Sequence, residues 1–282
     1  MGDNPDYPPP LKRLFELDQP RLRWPADRLD YVSQLGIGPE HTAGLVEIVL
    51  GWPEGLDEPE SVEGWAAPHA WRALAQLQAV EAVEPLLSIM DRLDEARDDW
   101  YLAEFPHVFA MIGPAAIPAL AAYLADTSNH NFPRSVAATG LKEIGRRHPD
   151  AMPQVMSILN GQFARFADSD EEFNALLLCD LMDLKAVDSA GMIERAYAAG
   201  KVDEFMVCWE DVERSLGVSG TGLIPDRAPP RPERSPPPMP SDSQSEWRLT
   251  PEERQREKQK EKQAKAKRKQ QETARKRNRK RR

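Results

Sequence analysis

The sequence predicts an all-α fold, a right-handed α-solenoid of about five helix pairs followed by a disordered linker and a basic helical tail. Three observations carry this expectation. Apolar residues recur at helical spacing from about residue 26 to 216, and strand signals are nearly absent. A seam, Ile-Gly-Pro followed by apolar residues eight and twelve positions on, occurs at 37–49 and again at 112–124. Composition then changes abruptly after residue 216.

Residues 1–25 hold "PPPLKRLFELDQPRLRWP", which offers a short helix at 10–18 and a proline-bounded turn. We read this segment as a cap over the first repeat. Residues 26–216 carry the repeats. "LQAVEAVEPLL" at 77–87 resembles "LKAVDSAGMIE" at 184–194, and "KEIGRRHPDAMPQVMSIL" at 142–159 supplies a further Ile-Gly seam. The anchors Ile37, Leu77, Ile112, Ile144 and Leu184 are separated by 40, 35, 32 and 40 residues. A period of 30–45 with one helix–turn–helix per unit is the signature of a helical solenoid. One helix pair cannot cover its own apolar face, and stacking the next pair covers it. Glycine at the seam ends one helix, and proline at the first helical position starts the next. Examples of the helical periodicity are Leu74, Leu77 and Gln78, and Phe173, Leu176, Leu177, Asp180, Leu181 and Leu184. "DEFMVCWEDVERSLG" at 203–217 closes the stack.

Residues 217–247 form a linker with eight prolines between Pro225 and Pro240, expected to be extended. Residues 248–282 begin with a capping box, Thr250 to Glu253, and continue as a charged helix with no apolar stripe. The net charge of −9 conceals a division: residues 1–247 carry −21 and residues 248–282 carry +12. The tail concentrates seven positive charges in its last eight residues. Lys267, Arg268, Lys269, Arg275, Lys276, Arg277, Arg279, Lys280, Arg281 and Arg282 are the candidate polyanion-binding residues, with RNA, DNA or a ribosome as the partner. No aromatic residue is interleaved among them, which argues against base reading.

Chemistry is scarce. His41, His69, His107, His130 and His148 are scattered and read as structural. No phosphate loop, dinucleotide fingerprint or nucleophile elbow occurs. Two cysteines, Cys179 and Cys208, make no disulfide framework and are expected to be buried thiols in a reducing compartment. No catalytic residue, metal ligand or cofactor site is assigned. The acidic runs at 91–99 and 168–172 are expected at inter-repeat loops. Trp65, Trp71, Trp100 and Trp209, with Asp98 and Asp99, form the candidate binding surface. A Trp flanked by carboxylates serves either as a cation-binding corner or as a stitch between repeats, its N–H paired to an acid. The start of the chain has no apolar core of a signal peptide, Asp6 stands where a myristoylation site needs Ser or Thr, and no window is apolar enough to span a membrane. A cytoplasmic protein is expected.

Gly-Pro-x-Ala-Ile-Pro-Ala-Leu at 113–120 resembles the seam of HEAT-like repeats, including the phycobilisome-lyase type. "APHAWRALAQL", "DDWYLAEFPHVFAMIGPAAIPALAAYLAD" and "DLKAVDSAGMIERAYAAGKVD" are similar to a bacterial HEAT-like family, some members of which end in a cysteine-rich zinc motif and others in a basic tail. The likeness covers about residues 10–216. This chain has no terminal cysteine cluster, so the zinc motif is not carried over. The resemblance implies a scaffold that binds a protein or peptide. The alternatives it implies are a bilin-lyase-like or DNA-glycosylase-like enzyme, or an auxiliary subunit. The acidic repeats argue against a duplex-DNA groove.

Overall fold

The computed structural model describes residues 7–20, 29–51 and 65–219. Contacts divide the chain into two units, residues 1–227 and 228–282. The second unit, with the expected tail helix and all ten polyanion-binding candidates, lies outside the described residues, as does most of the linker.

The described residues are helical throughout their regular structure and contain no strand. In chain order the helices are α1 (Pro9–Lys12), α2 (Tyr31–Leu35), α3 (Thr42–Leu50), α4 (Ala66–Gln76), α5 (Val83–Glu95) and α6 (Asp99–Ile112). They continue as α7 (Ile117–Ala125), α8 (Asn131–Arg147), α9 (Met152–Phe163), α10 (Glu171–Asp183), α11 (Ala190–Ala198) and α12 (Trp209–Leu216).

One local pattern recurs between α2 and α11. A helix ends, a joint residue reverses the chain, a single 3₁₀ turn follows, and a second helix begins. The turns are Pro39–His41, Val80–Ala82, Pro114–Ala116, Pro149–Ala151 and Val187–Ser189. The joints are Gly36 (φ 73°), Gln78 (φ 53°), Gly113 (φ 96°) and Lys185 (φ 55°), and His148 with negative φ. At Gln78 and Lys185 the termination is a Schellman motif: Ala79 N donates to Leu74 O, and Ala186 N to Leu181 O. The joint therefore keeps its geometry where the sequence supplies no glycine.

Gly113 is required twice over. Its φ of 96° suits glycine, and a Cβ there would approach His148 Nε2 to 3.3 Å. His148, the next joint, in turn lies 3.3 Å from the Ala110 carbonyl near the end of α6. The seam expected at Ile144-Gly145 is displaced: α8 runs through Gly145 to Arg147 and breaks at His148. Gly145 ends nothing, and instead admits Met152, whose sulfur would lie 3.0 Å from a Cβ.

The first helices of successive pairs pack on one another: α4 on α6, α6 on α8, α8 on α10. The second helices do the same from α3 to α5, α7 and α9. At the α6–α8 contact Gly140 lets Phe109 come within 3.1 Å of where a Cβ would sit. Flanking segments pack against this series on both sides. Leu11 and Leu14 of the N-terminal segment are fully buried, and Leu11 rests on Gly44 of α3. Helix α12 packs on α10 and α11, with Lys185 Nζ donating to Ser215 O at 2.8 Å.

Candidate functional site

Four groups of side chains stand out from this apolar frame. The first is a buried polar chain at the α4–α6 contact. Arg72 and Glu104 form an ion pair with each side chain 3% exposed. Glu104 accepts from Trp71 Nε1 at 2.6 Å and from Arg72 Nε at 2.9 Å. Beyond it, Tyr31 Oη lies 2.7 Å from His69 Nδ1, and His69 Nε2 lies 2.9 Å from the Asp18 carbonyl. A carbonyl only accepts, so Nε2 carries the ring proton and Tyr31 donates to Nδ1. Burial pushes the His69 imidazole down to about 4 and the Tyr31 phenol well above its ordinary value.

A second buried clasp joins α8 to α10. Lys142 Nζ lies 2.7 Å from Asp180 and 2.9 Å from Asp183, with Lys142 9% and Asp180 5% exposed. Thr139 donates to Asp180 at 3.0 Å. Burial opposes the Lys142 charge, but Asp180 and Asp183 outweigh it and raise the ammonium above its usual range. Both clasps sit between consecutive pairs and fix which helices meet.

The third group is acidic. Asp91 accepts from Tyr123 Oη and from the His130 backbone, both at 3.1 Å, while Asp94 meets Tyr101 Oη at 3.2 Å and His130 Nδ1 at 3.1 Å. The run at 168–172 has a similar use: Asp170 caps α10 by accepting from Phe173 N at 2.8 Å. Beside it, Asp168, Glu171, Glu172, Lys201 and Asp203 line an open depression of about 630 Å³. Arg134, under this edge, stacks on Phe173 at 3.9 Å and bonds the Leu124 carbonyl. Its Nη2 has no hydrogen-bond partner among the described residues.

The tryptophans divide. Trp71 is fully buried, and Trp209 is 8% exposed and set edge-on against Tyr197. Neither offers a binding face, because each ring fills the core, and Trp71 stitches α4 to α6 through Glu104. Asp98 is 7% exposed and caps α6 by accepting from Trp100 N. Trp65 and Trp100 remain half-buried, their rings 5.2 Å apart at the starts of α4 and α6, with Asp99 exposed beside them. The expected surface thus contracts to Trp65, Trp100 and Asp99. The thiols also differ from expectation: Cys179 is exposed, and Cys208 is half-buried, its Sγ donating to Asp211 at 3.0 Å.

Sequence reasoning missed a cleft of about 390 Å³ at the ends of α4, α6 and α8. Asp30, Val32, Gln76, Gln78, Met111 and Arg147 line it. Its residues come from four separate stretches of chain, and the only local signal is the joint at Gln78.

No group of three or more His, Cys, Asp or Glu among the described residues is placed to hold a metal ion. No single helix among them is long and apolar enough to cross a membrane. Comparison of the chain with protein-family models, with curated proteins and with solved structures gives no match.

Proposed function

We propose that residues 26–216 form a right-handed α-solenoid of about five HEAT-like helix pairs, and that this body is a non-catalytic scaffold for a protein or peptide partner. The observation that carries the reading is the recurrence of helix, joint, 3₁₀ turn and helix, with each first helix packed on the next. Repetition of this kind supplies an extended face on which a partner is read over several pairs. The half-buried Trp65–Trp100 corner with Asp99 is one anchor point on that face, suited to a Lys or Arg side chain. The acidic balance of the body, −21 over residues 1–247, favours basic partner segments.

The tail supplies a separate activity in this reading. Seventeen Lys and Arg against five Glu in residues 248–282 suit the phosphates of RNA or DNA without base selection. The test is binding of the full chain and of a chain lacking 248–282 to ribosomal RNA across a salt series. Binding that weakens steeply with salt and vanishes with the tail supports the reading, and equal binding by the truncated chain overturns the tail assignment. For the scaffold, partners captured from the source cells are purified and recombined with the full chain. A binary complex of fixed stoichiometry supports it, and failure of every purified candidate to bind contradicts it.

A further inference from the structure

The cleft at the ends of α4, α6 and α8 carries a chemistry that the rest of the molecule already uses. In its lining, the Gln76 carboxamide brackets the extended backbone of Asp30 where α2 begins. Its Oε1 accepts from Tyr31 N at 2.8 Å, and its Nε2 donates to the Leu29 carbonyl at 2.7 Å. A carboxamide is suited to this task, since it offers one donor and one acceptor to a peptide backbone. The α4 terminus therefore holds one extended residue, Asp30 at the start of α2, by the backbone groups on either side of it.

Two residues on, Gln78 presents a second carboxamide. The Schellman joint at φ 53° leaves it exposed in the cleft wall, where its side chain makes no hydrogen bond among the described residues. Arg147, in the last turn of α8, is exposed in the same cleft and has no ion-pair partner among the described residues. Val32, 41% exposed, adds apolar surface to the cleft, which Met111, itself buried, also lines. The one carboxylate in the lining, Asp30, is spent on capping α2, where it accepts from Ser33 N at 2.9 Å. A cleft of this volume is in the range that takes a few residues of a ligand.

We propose that this cleft binds an extended peptide segment of a partner protein that carries an Asp or Glu beside a small apolar residue. Gln78 pairs with the segment's backbone as Gln76 pairs with residues 29–31. Arg147 takes the acidic side chain, and Val32 takes the apolar one. The proposal rests on the scaffold reading and adds to it one local site, where the Arg147 cation takes an acidic residue although the body as a whole is acidic. The guanidinium supplies the specificity, because a planar fork matches a carboxylate in two-point contact.

The test is selection of a random dodecapeptide library on the full chain, followed by affinity measurement of the enriched peptides by fluorescence polarisation. Enriched peptides should share an acidic residue next to Val, Ala or Leu. Their affinity should fall at least tenfold with Arg147→Glu and about threefold with Gln78→Ala, and should stay unchanged with Ser157→Ala, at an exposed position of α9. Unchanged melting temperatures establish that the variants are folded. Peptides that bind equally to Arg147→Glu and Gln78→Ala overturn this inference and leave the scaffold reading standing. No enrichment of any peptide counts against both.

Discussion

Glu104 provides the sharpest stability test, because its carboxylate pairs with a buried guanidinium at the α4–α6 contact. Changing Glu104→Gln keeps the volume and one acceptor but removes the charge. Trp71 Nε1 retains a partner, while the Arg72 guanidinium, 2% exposed, loses the negative charge of Glu104. Breaking one side of a buried pair costs about 3–5 kcal/mol, a large share of the roughly 5–15 kcal/mol that holds an ordinary domain together. With a urea dependence of about 2–3 kcal/mol per molar, the midpoint should fall by roughly 1–2 M. The assay is equilibrium unfolding followed by circular dichroism at the helical minimum. The double variant Arg72→Met with Glu104→Gln removes both charges and should recover at least half of the loss, since it also removes the buried charge that Glu104 balanced. A single-variant cost below about 1 kcal/mol, or a double variant no more stable than the single, would refute this reasoning.

Acid sensitivity should have one identifiable source in His69. Its imidazole is held near 4 in the folded chain by burial, against 6.5 when exposed, so unfolding takes up a proton between those values. The stability this residue supports is full above pH 6.5 and is lost progressively as pH falls toward 4, by about 3 kcal/mol in all. His69→Gln should flatten that part of the curve, measured as urea midpoints from pH 7 to 4.5. Gly161 in α9 and Gly191 in α11 have nothing within 4 Å of a would-be Cβ, so alanine at each should raise stability by about 0.5–1 kcal/mol. Gly140→Ala should do the reverse by about 1–3 kcal/mol, because Phe109 occupies the space. Arg97→Gly should stabilise by up to about 1 kcal/mol, since Arg97 is exposed at φ 57°, and thermal melts will show either sign.

The parts of the fold legible in the sequence are those written in a local code. Ile112-Gly113-Pro114 is read directly because glycine supplies the positive φ and proline opens the next turn. Gln78 and Lys185 make the same reversal without glycine, so no residue type marked them. Gly145 misled in the opposite direction: it serves a close approach of Met152, and the joint falls at His148. Asp180 lies on the apolar face of α10 in the sequence pattern and is 4% exposed in the structure, but its partner Lys142 is a helix away and leaves no trace in that pattern. The candidate site was legible only at its edges. Trp65 and Trp100 pair as side chains at helix starts can, whereas Trp71 was offered as surface and is core, since its burial depends on Glu104, 33 residues on. The cleft around Gln78 and Arg147 exists only once the ends of three helices are brought together.

The central claim is that successive helix pairs stack in one direction, and spin-label distances test it most directly. Labels go at exposed positions of the second helices, Ser88 in α5, Ala122 in α7, Ser157 in α9 and Arg195 in α11, in the full chain with Cys179 and Cys208 replaced by serine. Packed helix axes lie about 8–10 Å apart. Distances from Ser88 should therefore lengthen at every step, reaching roughly 20 Å at Ser157 and 30 Å at Arg195. Distances that level off or shorten beyond Ala122 would show a closed bundle and contradict the account.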